Sequence, residues 1–484
     1  MRMAVVTQVV RSQDPSALLV GDKMVEVGGI TLDSRTVAPG DLFACLRGEH
    51  ADGHRFAGEA VANGAAALLM DEYPIDDLEG EGGLATVPRL VVSDVRRSLG
   101  PVSSAVNGDP STQLAVLGVT GTNGKTTTTH LLAGVLESAG WSCTVIGTLS
   151  GARTTPEAPE LQHRLAGAVD DGAAAVAMEV SSHALSQHRV DGTRFRVAAF
   201  TNLGRDHLDY HASMEDYFAS KARLFTPGLS DEAVVFVGDS WGSRLAEEAS
   251  VPVTTCSLDD AGDLTLGPNG SDFVWRGQPV HLDLAGAFNV ANAVVAATVA
   301  SRLGLDDATI ARGLGTVGHV AGRFERIDAG QPFGVVVDFA HTPDALRAVL
   351  TAAEGVAPSG RVLVVFGCGG ERDRAKRGEM GQVAAEGAEF VVVTEDNSRS
   401  EERSAIIAAI VAGAQEVPGA GTRLVVREDR REAMAVALDA AGPGDVVVIA
   451  GRGHETELDS GGIKAPFDDR QVARDLLAER GWRS

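Results

Sequence analysis

Apolar and polar positions alternate along the chain in three different styles. Residues 1–112 mix short apolar runs with turn signals such as Gly28-Gly29 and Pro39-Gly40. From residue 113 the runs lengthen. Leu114–Val119 is unbroken and apolar, as a strand covered on both faces would be, and a Gly-rich turn and a helical pattern through Leu136 follow it. Ala173–Val180 and Val197–Thr201 have the same apolar character. Beyond Arg323 the alternation is regular. Strands are predicted at Val335–Phe339, Arg361–Phe366, Glu389–Thr394, Arg423–Val426 and Asp445–Ala450, with Ala- and Leu-rich helices between them. Strand–helix alternation of this kind builds a mostly parallel sheet with helices on both faces.

The pattern therefore predicts an α/β protein of three domains: residues 1–112, 113–322 and 323–484. In parallel sheets ligands bind beyond the carboxyl ends of the strands. In the third block polar or Gly-rich clusters fall there: His341, Gly367–Asp373, Glu395–Arg399 and Gly451–Glu455. A purely structural chain would scatter them.

The strongest chemical signal is Gly118-Val-Thr-Gly121-Thr-Asn-Gly124-Lys125-Thr126, which joins a strand to a helix. Glycines let backbone N–H groups curl around phosphate oxygens, and the helix N-terminus adds partial positive charge. Lys125 would reach the outer phosphates and the Thr126 hydroxyl a magnesium ion. The loop departs from the strict phosphate-loop spacing by one residue, with Val119 where the first glycine would stand and Gly118 before it. Glu179, at a strand end, and His207 could share that ion with Thr126.

Composition sharpens one point and closes others. The net charge is −24 with no basic run, which argues against a nucleic-acid partner. No apolar run reaches the roughly 18 residues of a membrane span. Met1–Ser12 lacks the features of a secretory leader, so the cytoplasm is expected. The four cysteines, Cys45, Cys143, Cys256 and Cys368, are scattered and read as small buried hydrophobes. Only five lysines stand against 37 arginines. Arginine cannot lose its proton in a protein, whereas lysine can. Lys221, in the amphipathic stretch Tyr217–Phe225, is therefore a candidate for amine chemistry, such as a carbamate formed with CO₂ that would hold a second ion.

Together these residues resemble the Mur ligases of bacterial cell-wall synthesis, and among them the branch that adds the third residue of the stem peptide. The similarity runs over nearly the whole chain. It includes Leu32-Asp-Ser-Arg35, Gly40-Asp-Leu-Phe43, Gly121-Thr-Asn-Gly-Lys-Thr126, Thr154-Thr-Pro156, Glu179-Val-Ser-Ser-His183, Gln187-His-Arg189 and Thr201–His211. It continues through Gly322-Arg-Phe-Glu325, Asp338-Phe-Ala-His-Thr-Pro343, Gly367-Cys-Gly-Gly370 and Gly451-Arg-Gly-His-Glu455.

The resemblance implies an N-terminal UDP-binding domain, a central phosphate-loop ATPase and a C-terminal Rossmann-like domain that receives an amino acid. It implies an ATP- and Mg²⁺-dependent amide ligase; a monomer without membrane partners is expected. This ligase would join meso-diaminopimelate to UDP-N-acetylmuramoyl-L-alanyl-D-glutamate through an acyl phosphate. Gly121, Thr122, Asn123, Gly124, Lys125, Thr126 and Thr127 would then cradle the nucleotide, with Asn289, Arg323, Asp338 and His341 around it. Thr126, Glu179, His207 and a carbamylated Lys221 would hold metal, with Lys125, Lys221, Glu179 and His207 central to catalysis. Ser34 would touch the UDP end, and Thr154, Thr155, Ser181, Gln187 and Arg189 the muramoyl dipeptide. Arg372, Asp396, Asn397, Ser398, Arg399, Gly451 and Glu455 would receive the diamino acid.

One departure bears on specificity. Where the diaminopimelate-adding branch has Asp-Asn-Pro-Arg, this chain has Asp396-Asn-Ser398-Arg399. Serine gives up the restriction proline places on its own φ and on the preceding residue. Arg399 keeps the fork that suits a carboxylate, which favours diaminopimelate over the alternatives, L-lysine or another diamino acid. The next ligase of the pathway or a folylpolyglutamate synthetase-like enzyme would not carry Asp-Asn-x-Arg together with Gly-x-Gly-His-Glu in this form. A nucleotide-binding regulator without catalysis would be expected to have lost Lys125, Glu179, His207 or Lys221.

Overall fold

The computed structural model describes residues 1–48, 51–71, 87–357, 359–419 and 423–482. Three sheets follow one another along the chain. The first has five strands. Gly29–Thr31, Asp41–Ala44, Ala67–Met70 and Arg89–Val91 are parallel, and Leu18–Val20 closes one edge antiparallel to Arg89–Val91. Its strands are only three or four residues long, too short for a readable period in the sequence.

The second sheet is fully parallel. Its order is Val253–Cys256, Ala233–Phe236, Val197–Phe200, Ala115–Thr120, Ala175–Glu179, Cys143–Ile146. Leu117 and Val119 pack on one face with Leu131, Val135 and the helix Ala287–Arg302. Val116 points to the other face with Val176, Met178 and Phe195. Because helices cover both faces, the strands read as continuous apolar runs rather than alternating ones. Ala115–Thr120 lies between strands that come later in sequence on either side, so its carboxyl end sits where the strand order reverses, the place an open α/β sheet leaves a crevice.

A three-stranded antiparallel sheet, Ala261–Gly267, Gly270–Trp275 and Gln278–Leu282, follows. It was not visible in the sequence, because Ala261–Gly267 is mostly exposed and carries no sustained apolar run. The third large sheet orders Glu325–Arg326, Gly334–Asp338, Val446–Ala450, Val362–Phe366, Phe390–Val393 and Leu424–Val426. It is parallel except for the short first strand. The five predicted strands of this block are all present: Val335–Phe339 is shifted back by one residue to Gly334–Asp338, and the other four are trimmed by one or two residues. Two apolar cores, one around Val336, Val364 and Val448, the other around Val337, Val365 and Ile449, sandwich the sheet. The cysteines are free, and no helix among the described residues is long and apolar enough to cross a membrane.

Candidate active site

The loop Gly121–Gly124 leaves the central sheet and enters the helix Lys125–Ser138. Its two glycines have separate reasons. Gly121 has φ +152, and a Cβ there would lie 1.9 Å from Thr201 Oγ1. Gly124 has φ +86, a left-handed value, and its Cβ would meet Asn292 Oδ1 at 2.2 Å. Gly118 does something else: it lies inside the strand, where a side chain would strike the Phe195 ring at 2.7 Å. The displaced glycine of the phosphate-loop spacing is thus a packing residue. Lys125 folds back over the loop and donates to the Gly121 and Thr122 carbonyls, each at 2.9 Å.

Glu179 ends the neighbouring strand and is 1% exposed. It accepts from Thr126 Oγ1 at 3.1 Å, from Thr148 Oγ1 at 3.1 Å and from Thr148 N at 2.8 Å. A buried carboxylate held only by neutral donors, with a threonine hydroxyl beside it, suits a hard cation. His207 lines the same cavity. Burial pushes its imidazole down to about 3, so both ring nitrogens are free of added charge. No cluster of three or more His, Cys, Asp or Glu that could hold a metal exists among the described residues. An ion here would need substrate oxygens to complete its shell, as magnesium at phosphate sites does.

Lys221 is 1% exposed on the helix Met214–Ala222. Its Nζ donates to the Gly121 carbonyl at 2.8 Å and sits 4.7 Å from the centre of the Tyr217 ring. It lies behind the loop rather than among the cavity-lining side chains. Burial, reinforced by the Lys125 charge, pushes its pKa well below that of an ordinary lysine.

The cavity, about 840 Å³, joins the central and C-terminal domains. On the nucleotide side it is lined by Thr122 to Thr127, Arg323, Asp338 and His341. Arg323 donates to Thr126 Oγ1 at 3.0 Å and lies over Phe339, and its Nη1 has no partner within the protein. Asn289 is not brought to the cavity: it is fully buried, donating to the Ala285 carbonyl, and Asn292 one turn later lines the wall instead. Thr154, Thr155, Ser181 and Arg189 line it near Glu179. Gln187 does not, and instead accepts from Arg189 Nη2 at 2.6 Å.

The C-terminal strand ends supply the remaining wall: Arg372, Asp396, Asn397, Arg399, Gly451 and Glu455. Arg399 has φ +52 and donates to the Gly370 carbonyl. The Asn397 amide is engaged at both ends, its Oδ1 accepting from Arg452 at 3.1 Å and Asp459 N at 2.8 Å, and its Nδ2 donating to Glu455 at 2.8 Å. Burial, and Asp396 nearby, raise the Glu455 carboxyl above its ordinary value. Ser398 is buried behind this wall. Ser34 lies in a separate cavity of about 850 Å³, its hydroxyl donating to Glu59 at 2.6 Å. Arg153 lines both cavities.

Sequence reasoning missed the contact that joins the two domains. Residues 205–209, after the strand Val197–Phe200, face residues 372–379 in crossed ion pairs. Asp206 pairs with Lys376 at 3.2 Å, Arg205 with Asp373 at 3.4 Å, and Arg372 with Asp209 at 3.8 Å. Asp206 also lies 3.3 Å from His341 Nε2 and 3.5 Å from His207 Nε2. Burial pushes the Asp206 carboxyl up, but its neighbours, His341 foremost and Lys376 among them, outweigh it and hold it well below the usual range. The one available signal was the placement of Lys376 among so few lysines. Asp206 and Lys376 side chains are 6% and 5% exposed, so removing one partner strands a buried charge. Lys376→Met is expected to lower unfolding free energy by about 3–5 kcal/mol. The double variant with Asp206→Asn should lose less than the two single variants together. Strict additivity in denaturant titrations would show that the pair is not coupled.

A phosphate loop and a buried acid facing, across one cavity, an arginine-rich wall on a second domain define a nucleotide-dependent ligase. The comparisons with known proteins agree. Family models described as "Mur ligase family, catalytic domain", "Mur ligase middle domain" and "Mur ligase, glutamate ligase domain" match residues 26–106, 119–300 and 322–453. A UDP-N-acetylmuramoyl-L-alanyl-D-glutamate–2,6-diaminopimelate ligase of Streptomyces coelicolor is 43% identical, covering 96% of this chain and 95% of the relative. One of the same name from Corynebacterium glutamicum is 44% identical, covering 97% and 95%. A solved structure of a ligase with that name is 33% identical with a TM-score of 0.64, over 94% of this chain and 95% of that one. A structure of MurF from Acinetobacter baumannii, 22% identical with a TM-score of 0.67 and covering 98% of each chain, shares the fold. The chain belongs to the Mur ligase family.

Proposed function

We propose that this protein uses ATP to join meso-diaminopimelate to the D-glutamate carboxylate of UDP-N-acetylmuramoyl-L-alanyl-D-glutamate. The observation that carries this reading is the single cavity in which the Lys125 loop faces Arg372, Arg399 and Glu455. An amine and an activated carboxylate must meet within bonding distance, and a shared cavity between two domains allows it. Two relatives named for this reaction, each over 40% identical across nearly the full chain, support the choice of substrates. The domain limits 1–112, 113–322 and 323–484 belong to the same proposal.

In the first step a D-glutamate oxygen bonds to the γ-phosphorus, and the bond from that phosphorus to the bridging oxygen of ADP breaks. In the second, the neutral substrate amine bonds to the acyl carbon, the bond from that carbon to the phosphate oxygen breaks, and inorganic phosphate leaves together with the proton the nitrogen gives up. The phosphorylation turns an unreactive carboxylate into one with a good leaving group. Lys125 lies where charge spreads over the transferring phosphoryl oxygens, and Arg323, with a free Nη1, lies beside it. Thr126, Glu179 and His207, joined by Lys221 as a carbamate, are the groups proposed to hold Mg²⁺. The ion supplies charge neutralisation at the phosphates when bound. The cavity at Ser34 takes the UDP end, and Arg153 lies between it and the reaction centre. Arg189, steadied by Gln187 and Glu157, meets the dipeptide's carboxylates.

Recognition of the diamino acid is assigned to the C-terminal wall. Arg399 and Arg372 offer donors for the distal carboxylate, and Asp396 and Glu455 offer acceptors for the ammonium. Lysine would leave the arginine fork unpaired, at a cost on the order of 1–3 kcal/mol or more, which is a preference of roughly tenfold to a hundredfold. The test measures ATP-dependent phosphate release with the UDP-dipeptide and a panel of meso-diaminopimelate, L-lysine and L-ornithine. Diaminopimelate is expected to give the highest kcat/KM, and Arg399→Ala to lose that activity far more than any activity with lysine. A parent enzyme that prefers lysine or ornithine would refute the substrate, and one that accepts only the UDP-tripeptide would refute the position in the stem.

A further inference from the structure

The strands Glu457–Ser460 and Ile463–Pro466 form a two-stranded hairpin, turned by Gly461 and Gly462 at φ +63 and +79. It belongs to none of the larger sheets, and its second strand is fully exposed. A lone hairpin of this length is marginal in water, so its position depends on what fastens it.

Most of the fastenings reach one loop, residues 395–399. Gly461 N donates to Ser398 Oγ at 3.1 Å. Ser460 Oγ donates to Glu395 Oε2 at 2.9 Å. Asp459 N donates to Asn397 Oδ1 at 2.8 Å, and Arg399 N donates to the Asp459 carbonyl at 3.3 Å. The buried Arg452 ties the base, donating to the Glu457 carbonyl at 2.6 Å and to Asn397. From the other side Gly370 presses against the loop: a Cβ there would lie 1.9 Å from the Ser398 carbonyl oxygen.

We infer that the hairpin Glu457–Pro466 is a buttress for the amino-acid-binding wall, and that Ser398 is the positioning residue that pins it. The serine is 2% exposed and lines neither of the two cavities described above, so it acts through its neighbours. Its hydroxyl takes the N–H of the hairpin turn, which no proline side chain could accept. Where proline would stiffen the loop through its own ring, this chain stiffens it from outside through the turn. The hairpin in turn fixes Asn397, whose Nδ2 aims Glu455, and the backbone of Arg399. The inference rests on the substrate reading above, since it assigns the hairpin to selecting the diamino acid.

The test combines steady-state kinetics with amide hydrogen exchange over residues 457–466 of the whole protein. Ser398→Ala leaves the Gly461 N–H unpaired, and Ser460→Ala cuts the tie to Glu395 from the hairpin side. Each is expected to speed exchange in the hairpin. Each should raise KM for diaminopimelate about five- to tenfold, the equivalent of one lost hydrogen bond, while kcat and KM for ATP change less than twofold. Ser398→Pro should keep the fast exchange, because it restores stiffness without the acceptor. Fast exchange with an unmoved diaminopimelate KM would overturn the inference, as would unchanged exchange in both alanine variants. A parent protein that fails to ligate any diamino acid would instead overturn the functional reading, and the exchange data would still report on the pinning.

Discussion

Lys125→Ala is expected to reduce ligation by roughly 10²–10³-fold or more, with the protein still folded. Removing one preorganised donor from developing charge costs about that much in other enzymes. Lys125 is the only lysine on the phosphate loop, and its Nζ rests on two loop carbonyls at 2.9 Å. Those bonds hold the side chain over the place where phosphate would bind. Burial lowers its pKa, and the negative Glu179 and Asp206 pull the other way, keeping the ammonium form within reach of a phosphate. Lys125→Arg keeps the charge but replaces the compact ammonium that rests on the two carbonyls with a planar fork, so only partial activity should return. The check is phosphate release at saturating substrates, with circular dichroism to confirm folding. Near-parental turnover in the alanine variant would remove Lys125 from the mechanism.

Lys221→Arg should be about as damaging. Guanidinium forms no carbamate, and a permanent cation would sit behind the loop beside Lys125. Burial already disfavours charge on Lys221 itself, and a neutral amine is the form that attacks CO₂. Lys221→Ala is expected to be inactive but to regain part of its rate when short-chain carboxylates are added, since these can replace the missing anion. Bicarbonate depletion should slow the parent enzyme and leave the rescued variant unaffected. High activity in Lys221→Arg would be decisive against the carbamate. In the structure the amine faces the Gly121 carbonyl, so the modified side chain must swing past the loop edge to reach an ion.

The sequence made much of this legible, for identifiable reasons. Gly124-Lys125-Thr126 stands out because a phosphate loop needs those residue types at a strand-to-helix turn. The wall residues Arg372, Asp396, Arg399 and Glu455 were readable because parallel strands bring their carboxyl ends to one edge. Other features depend on contacts between distant positions. The sequence pointed to Asn289, and only packing shows that it lies in the core while Asn292, three residues on, reaches the cavity. Asp206 looks like one more residue of a motif until Lys376, 170 positions later, is laid against it. Ser398 reads as a loss of rigidity because its partner, Gly461, lies 63 residues away on a hairpin with no apolar signature. Gly118 misled because strand glycines and loop glycines are the same letter.

The crossed ion pairs between residues 205–209 and 372–379 carry a consequence for turnover. Arg372, which would meet the incoming diamino acid, is tethered meanwhile to Asp209 on the ATPase domain. With side chains 51% and 26% exposed and 3.8 Å between them, that tether is worth at most about 1 kcal/mol. A substrate carboxylate can therefore take the guanidinium by exchange, one anion for another, without first stripping it of a partner in dry surroundings. When the ligated product departs, Asp209 is at hand to reclaim the arginine. For an enzyme that must release its product, this gives one substrate contact, that of Arg372, a ready replacement within the protein.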